Sequence, residues 1–253
     1  MTAPTRPLVV LPTYQEADNI AEVLRRLRSA APDVSVLVVD DASPDGTAAL
    51  AEAAGREMGG VEVLRRPGKA GLGSAYRAGF AWGFERGHDA MVEMDADLSH
   101  DPAALPSLLR PLGAGVDLVI GSRYVPGGSI PDWSLHRRLL SQWGNRYAGA
   151  MLDLDVRDVT SGYRAYRADA LTKIDMSRVR ADGYGFQIEM AYRLVRCGLV
   201  VEEVPIAFTD RTRGTSKMST RIVAEAMALV TWWGVRDRLD RVRNRGGWGT
   251  GRS

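Results

Sequence analysis

Short apolar runs and amphipathic segments alternate along the first half of the chain. The run LVVLP at 8–12 is continuously apolar, which is typical of a strand buried on both faces of a parallel sheet. In the segment that follows, Ile20, Val23 and Leu27 fall on one stripe of a helix. Similar runs predict four further strands, at 34–41, 61–66, 90–97 and 117–123. This alternation predicts an open, mostly parallel α/β sheet flanked by helices, with right-handed crossovers.

Polar side chains gather where the predicted strands end. Ligands of open α/β sheets bind at the carboxyl ends of the strands, so these positions predict the functional site. The second strand ends in Asp40-Asp41, the fourth in Asp95-Ala96-Asp97 and the fifth in Ser122-Arg123. An acidic cluster that faces an arginine is typical of a site for a metal-bound diphosphate.

The sequence Asp-Ala-Asp at 95–97 is the strongest candidate for metal binding. Mg²⁺ and Mn²⁺ prefer oxygen ligands, and Mg²⁺ keeps waters and substrate phosphates in its shell. In a turn, one carboxylate would bind the metal and the other would bind sugar or ribose hydroxyls. The alternative interpretation is a cap for the helix that begins near Pro102.

Several other kinds of site are excluded or disfavoured by the motifs. The chain has no P-loop sequence and no G-x-S-x-G elbow. The segment GLGSAY at 71–76 has Tyr76 where a dinucleotide-binding fingerprint needs its third glycine, and it follows the third strand instead of the first. His88, His100 and His136 lack the spacing of zinc ligands, and no cysteine pair exists.

Composition is that of an ordinary globular protein. The 253 residues are 45% hydrophobic and 25% charged, with a formal net charge of +2, and we expect no nucleic-acid partner. The lone Cys197 excludes an internal disulfide and fits a reducing compartment. The first apolar run is too short and too soon followed by polar residues to predict a signal peptide.

The C-terminal segment is basic and carries an apolar stretch. From Asp210 onward there are ten Lys and Arg against four Asp and Glu. The stretch at 222–235 is interrupted by Glu225 and is shorter than the roughly 20 residues that cross a bilayer. Two interpretations of the amphipathic helix predicted here stay open: it lies on anionic lipid through Trp232 and Trp233, or it packs on the protein.

Seven motifs occur in an order that resembles a known family. They are LPTYQE, VVDDASPDGT, GLGSAYRAGF, MDADLSHDP, GSRYVPGG, TSGYRAYR and VPIAFTDRTRGTSKM. Together they resemble the polyprenyl-phosphate (dolichyl-phosphate) β-D-mannosyltransferases, a branch of the inverting GT-A glycosyltransferases. The resemblance spans roughly 8–218 and implies a GT-A-type sheet. We therefore expect a catalytic domain over 1–218, a helical extension over 219–245 that associates with membranes, and a disordered tail over 246–253.

The resemblance implies a binding site for a sugar nucleotide and a Mg²⁺ or Mn²⁺ ion. Asp95 and Asp97 would be catalytic, and Asp97 would bind the metal together with Ser99 or with a water in its place, since some relatives have Gln at this position. A carboxylate suits the paired donors of guanine, and either Asp41 or its neighbour Asp40 would supply it. The residues implied for the nucleotide sugar are Pro12, Tyr14, Glu16, Val39, Asp41, Asp95, Ala96, Asp97, Arg211 and Lys217.

The resemblance also implies an acceptor site. Arg123, Arg137 and Ser141 would bind the acceptor phosphate, with Arg123 counted among the catalytic residues. Gln187 and Glu189 in GYGFQIEMAYRL have two open interpretations. Both lie near the sugar, or Glu189 only anchors its helix to an arginine.

The reaction implied is transfer of mannose from GDP-mannose to a polyprenyl phosphate, with inversion. A phosphate monoester has a second pKa of about 6 and is largely dianionic at neutral pH, so it needs little help from a base. Two alternatives stay open: another donor such as UDP-glucose, and a non-catalytic nucleotide-sugar-binding subunit. A nucleotidyltransferase is disfavoured because the segment LPTYQEADN after the first strand is acidic. A lipid acceptor implies a cytoplasmic protein that is peripheral on the cytoplasmic face of the membrane and docks through 222–243 or through an anchoring partner.

Overall fold

A seven-stranded sheet forms the centre of the computed structural model, which describes residues 4–210 and 220–245. The strands lie in the order β3-β2-β1-β4-β6-β5-β7, and β6 is antiparallel to its neighbours. The strands are β1 (Pro7–Thr13), β2 (Ser35–Asp40), β3 (Val61–Arg65), β4 (Ala90–Glu93), β5 (Leu118–Ser122), β6 (Arg164–Arg167) and β7 (Val201–Pro205). The predicted fold class, an open and mostly parallel sheet flanked by helices, is confirmed.

Helices cover both faces of this sheet. They are α1 (Ile20–Ala30), α2 (Thr47–Met58), α3 (Leu72–Glu85), α4 (Leu105–Leu109), α5 (Leu135–Leu152), α6 (Ala168–Thr172), α7 (Gly183–Arg196) and α8 (Thr220–Arg245). Successive strand side chains point to opposite faces, so Leu8 and Val10 join one hydrophobic core while Val9 and Leu11 join the other. All four are fully buried, as the continuous apolar run predicts.

Two strands, β6 and β7, were not predicted from the sequence, and β6 positions the site. The short β6 lies between β4 and β5, so the acidic turn after β4 and the arginine after β5 are separated by one strand. Its first residue, Arg164, is fully buried and donates hydrogen bonds to the carbonyl oxygens of Val159, Ser161 and Gln187 at 2.6–2.7 Å. Because an arginine opens this strand, the strand carries no apolar signal of its own.

The C-terminal helix α8 packs along α5 and α7. Ala226, Val230 and Trp233 are buried on this face, and the Trp233 ring stacks on Tyr192 at 5.7 Å between centroids. Other apolar side chains of α8 stay exposed, including Trp232 at 64%. In the described parts of the chain, no helix combines the length and the apolar character that a membrane span needs. The helix therefore has one packed face and one exposed face, and the predicted tail at 246–253 lies outside the described residues.

Candidate active site

A cavity of about 500 Å³ lies at the carboxyl ends of the central strands. Most of the residues that the sequence predicted for the site line this cavity: Pro12, Tyr14, Glu16, Asp41, Asp95, Ala96, Asp97, Arg123 and Arg137. Three do not. Val39, a residue of β2, is fully buried in the core, Ser99 is buried and donates hydrogen bonds to Asp97, and Ser141 lies outside the lining. Arg211 and Lys217 fall outside the described residues.

Left-handed backbone marks three of the loops that follow strands at this edge. Gln15 after β1, Ala42 after β2 and Leu98 after β4 have φ values of 58°, 56° and 65°. Non-glycine residues adopt this conformation at a cost in free energy, and such residues cluster at functional sites. The sharp turns that result bring the side chains after each strand back toward the cavity.

The two neighbouring aspartates after β2 have different roles. Asp40 accepts hydrogen bonds from the Thr13 hydroxyl at 3.0 Å and from the Ser43 backbone and hydroxyl at 2.9 and 2.6 Å. Its carboxylate is therefore used to close the turn. Asp41 lines the cavity and forms an ion pair with Arg66 at 3.0 Å. The structure thus brings Asp41, and not Asp40, to the ligand side of the turn.

A lysine that the sequence analysis missed lies beside Tyr14. The Lys69 ammonium is 4.6 Å from the centroid of the Tyr14 ring, and both residues line the cavity. Lys69 belongs to the glycine-rich turn before α3, where only the glycines were considered. At Gly71, with φ of 89°, an added Cβ would lie 2.0 Å from Oδ2 of Asp182. The glycine therefore allows this turn to approach the start of α7.

The carboxylates after β4 are held in place by a tight turn. Ser99 donates to Oδ1 of Asp97 from its hydroxyl at 2.5 Å and from its backbone at 3.0 Å. The left-handed Leu98 between them makes this geometry possible. The backbone of Asp95 donates to Nδ1 of His100 at 3.2 Å. Ser99 therefore orients the Asp97 carboxylate.

The capping role considered for this turn belongs to Asp101. Its side chain accepts a hydrogen bond from the backbone of Ala103 at 3.0 Å, in the short 3₁₀ helix Pro102–Ala104. Asp95 and Asp97 line the cavity instead. The acidic pair is thus placed for a ligand, and the cap is supplied by a separate carboxylate.

Arg123 is bound to a buried carboxylate. It donates to Asp158 from Nε at 2.7 Å and from Nη2 at 2.6 Å, and Nη2 also donates to the Thr160 hydroxyl at 2.9 Å. Burial by itself would lower the pKa of Arg123, but the Asp158 carboxylate outweighs it and raises the pKa above its ordinary value. The guanidinium therefore stays charged and is fixed in orientation.

Aromatic rings and a second arginine continue the lining beside Arg123. The Arg137 guanidinium lies 3.9 Å from the centroid of the Trp133 ring, and the Arg123 guanidinium lies 5.5 Å from the same centroid. Phe208 packs edge-on against Trp133 at 5.8 Å. Asp210 accepts hydrogen bonds from both Trp133 and Arg137. Trp133, Phe208 and Asp210 were not predicted for the site, because they come from a loop and from the segment that follows β7.

Ser141 does not reach the cavity. It lies one turn after Arg137 on α5, and its hydroxyl accepts a hydrogen bond from the Tyr124 hydroxyl at 2.8 Å. Asn145, a further turn along, donates to the Ser141 carbonyl at 3.0 Å and accepts from the Thr160 backbone at 3.1 Å. These contacts connect α5 to the loops around Arg123, so Ser141 supports the site without lining it.

Glu189 is held by contacts within the protein, whereas Gln187 faces the cavity. Glu189 forms an ion pair with Arg193 at 2.6 Å and accepts from the backbones of Arg180 and Ala181 at 3.2 and 3.0 Å. It therefore anchors the helix, as one interpretation held. Gln187 lines the cavity and is only 2% exposed.

Comparison with known proteins is consistent with this geometry. Residues 8–175 match the model of the family described as glycosyl transferase family 2. The chain belongs to glycosyl transferase family 2. Over 239 residues it is 51% identical to polyprenol monophosphomannose synthase of Mycolicibacterium smegmatis, covering 94% of this chain and 90% of that protein. It is 50% identical over 240 residues to undecaprenyl-phosphate mannosyltransferase of Micrococcus luteus, covering 95% and 98%. The resemblance that the motifs indicated is confirmed.

Solved structures show that the glycosyltransferase shares its fold with more distant proteins. Glucosyl-3-phosphoglycerate synthase from Mycobacterium tuberculosis, in complex with Mn²⁺, UDP-glucose and phosphoglyceric acid, aligns with a TM-score of 0.66 at 21% identity, covering 91% of this chain and 80% of that one. A second crystal structure, of a mycobacterial protein, aligns with a TM-score of 0.64 at 23% identity, covering 89% and 72%. At this identity the likeness concerns the fold alone.

Proposed function

We propose that this glycosyltransferase moves mannose from GDP-mannose to a polyprenyl phosphate, with inversion at the anomeric carbon. The observation that carries the proposal is that one cavity is lined both by the acidic pair Asp95 and Asp97 and by the arginines Arg123 and Arg137. A donor diphosphate with its cation suits the first group, and an acceptor phosphate suits the second. The names of the two curated relatives, which specify mannose and a polyprenol or undecaprenyl phosphate, support this choice of substrates.

The donor set fits a hard divalent cation such as Mg²⁺ or Mn²⁺. Asp97 presents a carboxylate that Ser99 has oriented. Within 4–210 and 220–245, no group of three or more His, Cys, Asp and Glu side chains is arranged to hold a metal ion. Mg²⁺ is usually held by one or two carboxylates together with substrate phosphates, and this site matches that pattern. When bound, the cation would neutralise the charge that develops on the departing diphosphate.

The residues of the chain position the acceptor and need not remove a proton from it. A phosphate monoester is largely dianionic at neutral pH, so it is already a nucleophile. Arg123 is fixed through Nε and Nη2, and we propose that its Nη1 edge, with Arg137, contacts this phosphate. The rings of Trp133 and Phe208 lie beside these arginines. Catalysis then rests on orientation and on stabilisation of charge.

The proposed guanine contact is Asp41 at the other side of the cavity. Its carboxylate would accept from the N1–H and N2–H₂ edge, with Tyr14, Lys69 and Glu16 around the nucleoside. The ion pair of Asp41 with Arg66 at 3.0 Å holds the carboxylate in place. Adenine offers no such pair of donors on one edge.

Membrane docking is proposed to use α5 together with α8. Seven of the nine exposed large hydrophobic side chains of the described residues lie on these two helices: Leu135, Leu139, Leu140, Trp143, Trp232, Val235 and Leu239. Exposed arginines accompany them, among them Arg138 on α5 and Arg236 on α8. Exposed apolar side chains with basic neighbours are typical of helices that lie on anionic membranes. Since Arg137 is on α5 as well, this surface would bring the lipid phosphate to the cavity at the cytoplasmic face.

The proposal is tested by incubating the full chain with labelled GDP-mannose, Mg²⁺ or Mn²⁺, and a polyprenyl phosphate. We expect label in the organic extract only when both the cation and the lipid phosphate are present. A parallel reaction contains labelled UDP-glucose. Transfer from UDP-glucose alone would replace the proposed donor, and transfer from neither donor would favour the non-catalytic alternative.

A further inference from the structure

The side-chain amide of Gln187 is buried at the wall of the cavity and lacks hydrogen-bond partners. Gly183, Tyr184 and Gln187 have the three- and four-residue spacing of one helix face, and all three line the cavity at the start of α7. Gln187 is 2% exposed. Neither the nitrogen nor the oxygen of its amide completes a hydrogen bond with any described residue. A buried amide without partners costs free energy, and such a group at a cavity wall indicates a ligand.

The absence of a side chain at Gly162 leaves a space next to this amide. An added Cβ at Gly162 would lie 3.8 Å from Nε2 of Gln187, 3.9 Å from Oδ1 of Asp95 and 3.6 Å from Cε1 of His100. One small volume is therefore bordered by an amide, a carboxylate and an imidazole. Hydroxyl groups are the natural partners of such a set, because each hydroxyl both donates and accepts hydrogen bonds.

The position of this space fits the sugar of the donor. Asp95 borders it and, with Asp97, belongs to the turn assigned to the diphosphate and its cation. The hexose is joined directly to that diphosphate, so its hydroxyls must lie within a few ångströms of this turn. The nucleoside side of the cavity, around Tyr14 and Asp41, is formed by different strands.

The backbone on both sides of the space is held by one residue. Arg164 donates to the carbonyl of Gln187 at 2.6 Å and to that of Ser161, next to Gly162, at 2.7 Å. The Glu93 carboxyl lies directly opposite Arg164 in the β4–β6 ladder. It is near enough to the Gln187 side chain for the amide to lower the pKa of Glu93, although the two groups do not complete a hydrogen bond of good geometry. The backbone that carries the amide and the backbone next to Gly162 are therefore held before any ligand binds, which favours recognition of a substrate.

We propose that Gln187 is a specificity-determining residue that binds the hexose hydroxyls of the sugar nucleotide in the space beside Gly162. This inference rests on the proposed function. Gln187 adds a contact that distinguishes the nucleotide sugar from the nucleotide alone. A site built to hydrogen-bond a substrate hydroxyl discriminates strongly, because its buried polar group is left unpaired when the hydroxyl is missing.

The test compares the binding of GDP-mannose with that of GDP by titration calorimetry in the presence of Mn²⁺. Gln187→Leu keeps the size of the side chain and removes its hydrogen bonds. We expect this variant to bind GDP-mannose about tenfold more weakly, or worse, while GDP binds within about twofold of the wild type. Gln142→Leu on α5, outside the cavity, is the matched control and should change neither. Equal losses for both ligands would show a structural role and overturn the proposal, and so would unchanged binding of both.

A second variant tests the space itself. The backbone of Gly162 is not left-handed, and an added methyl group would meet its neighbours at ordinary contact distances, so Gly162→Ala should fold. We expect this variant to bind GDP-mannose more weakly and to bind GDP as the wild type does, which is also the result expected for Gln187→Leu. GDP-mannose binding at the wild-type level would overturn the placement of the hexose.

The same titrations separate this inference from the proposed function. If the wild type binds UDP-glucose and UDP but not the guanine nucleotides, the proposed donor is wrong. In that case, the role of Gln187 is tested by comparing how the two variants bind UDP-glucose and UDP. Binding of neither nucleotide sugar by the wild type would overturn both proposals.

Discussion

Arg137 and Asp210 form an ion pair at the mouth of the cavity, with Nη1 of the arginine 2.8 Å from Oδ1 and 3.1 Å from Oδ2 of the aspartate. The same Oδ1 accepts the Trp133 indole N–H at 2.9 Å. The partner of Arg137 in this structure is thus an anion of the protein itself, at the place proposed for the acceptor phosphate. An incoming phosphate competes with the carboxylate for the guanidinium.

Removing that competition should strengthen acceptor binding. For Asp210→Asn we expect the Michaelis constant for polyprenyl phosphate to fall by about twofold to fivefold, the range that corresponds to a partly exposed ion pair. Initial rates at varied lipid phosphate and saturating GDP-mannose measure this. Asp169→Asn, which breaks a surface ion pair with Arg167, is the control. A rise in the Michaelis constant would mean that Asp210 assists the acceptor.

Arg137→Ala should have the opposite effect and a larger one. Loss of a charged hydrogen-bond donor corresponds to about tenfold to hundredfold in affinity, so the Michaelis constant for the lipid phosphate should rise by that factor. The constant for GDP-mannose should change much less. Arg56→Ala, which removes an exposed arginine of α2 outside the cavity and the docking helices, serves as the control in the same kinetic assay. Equal increases for both substrates would contradict the acceptor assignment.

Asp97→Asn should strongly slow the metal-dependent reaction and leave the fold intact. The amide oxygen can still accept from Ser99, whereas the charge that attracts a cation is gone. We expect turnover to fall by about 10²–10³, by analogy with the removal of one charge-stabilising contact in other enzymes. Turnover is measured across a Mn²⁺ titration, and circular dichroism checks the fold. Asp101→Asn, which alters a nearby carboxylate that caps a helix, is the control and should keep its turnover. Wild-type-like turnover of Asp97→Asn would refute the metal role.

Glu93 should make stability depend on pH. Burial raises the pKa of this carboxyl from 4.5 to about 7, and Arg164 only partly offsets that. Since the folded protein prefers the protonated form, the contribution of Glu93 is fully present below pH 4.5 and is lost as the pH rises through about 7. The difference corresponds to about 3 kcal/mol at most.

Glu93→Gln removes this titration. We expect the free energy of unfolding in urea to fall less between pH 5 and pH 8 in the variant than in the wild type. Glu62→Gln, on the exposed edge strand β3, is the control and should retain the dependence of the wild type. Parallel pH profiles for all three proteins would show that Glu93 is ionised without penalty.

The exposed apolar surface of α5 and α8 should bind vesicles that contain anionic lipid. We expect Leu139→Ser with Trp143→Ser to reduce cosedimentation about tenfold or more, because each lost side chain contributes about 1.5–3 kcal/mol when buried. Leu50→Ser removes an exposed leucine from α2, outside the two docking helices, and should have little effect. If only changes in α8 reduced binding, the docking surface would be confined to the C-terminal helix.

The sequence predicted the strands that are apolar throughout, and the reason is physical. A strand such as β1 is covered on both faces, so nearly every residue must be apolar and the run stands out. Strand β6 was not predicted because it begins with a charged residue, Arg164. This side chain can be buried because it donates hydrogen bonds to the carbonyl groups of residues 159, 161 and 187. The carbonyl of Gln187 is distant from Arg164 in the sequence, and only the folded chain brings the two together.

The site was predictable where a motif places a residue on a strand end, and less so where neighbours compete. Asp95 and Asp97 follow β4 directly and reach the cavity. The choice between Asp40 and Asp41 depends on Thr13, 27 residues away from Asp40, whose hydroxyl bonds to it. Val39 was assigned to the ligand although its side chain points into the core, since adjacent strand residues face opposite ways.

The buried guanidinium of Arg164 holds the loop that leads to Gly162 and, at once, the carbonyl of Gln187. The loop just before it carries Asp158 and Thr160, which grip Arg123. The walls that receive the two reactants are therefore fastened to a common point. An engineer who reshapes α7 to accept a different sugar will shift the geometry offered to the carrier lipid as well, and selection for new donors should be run with the intended carrier present.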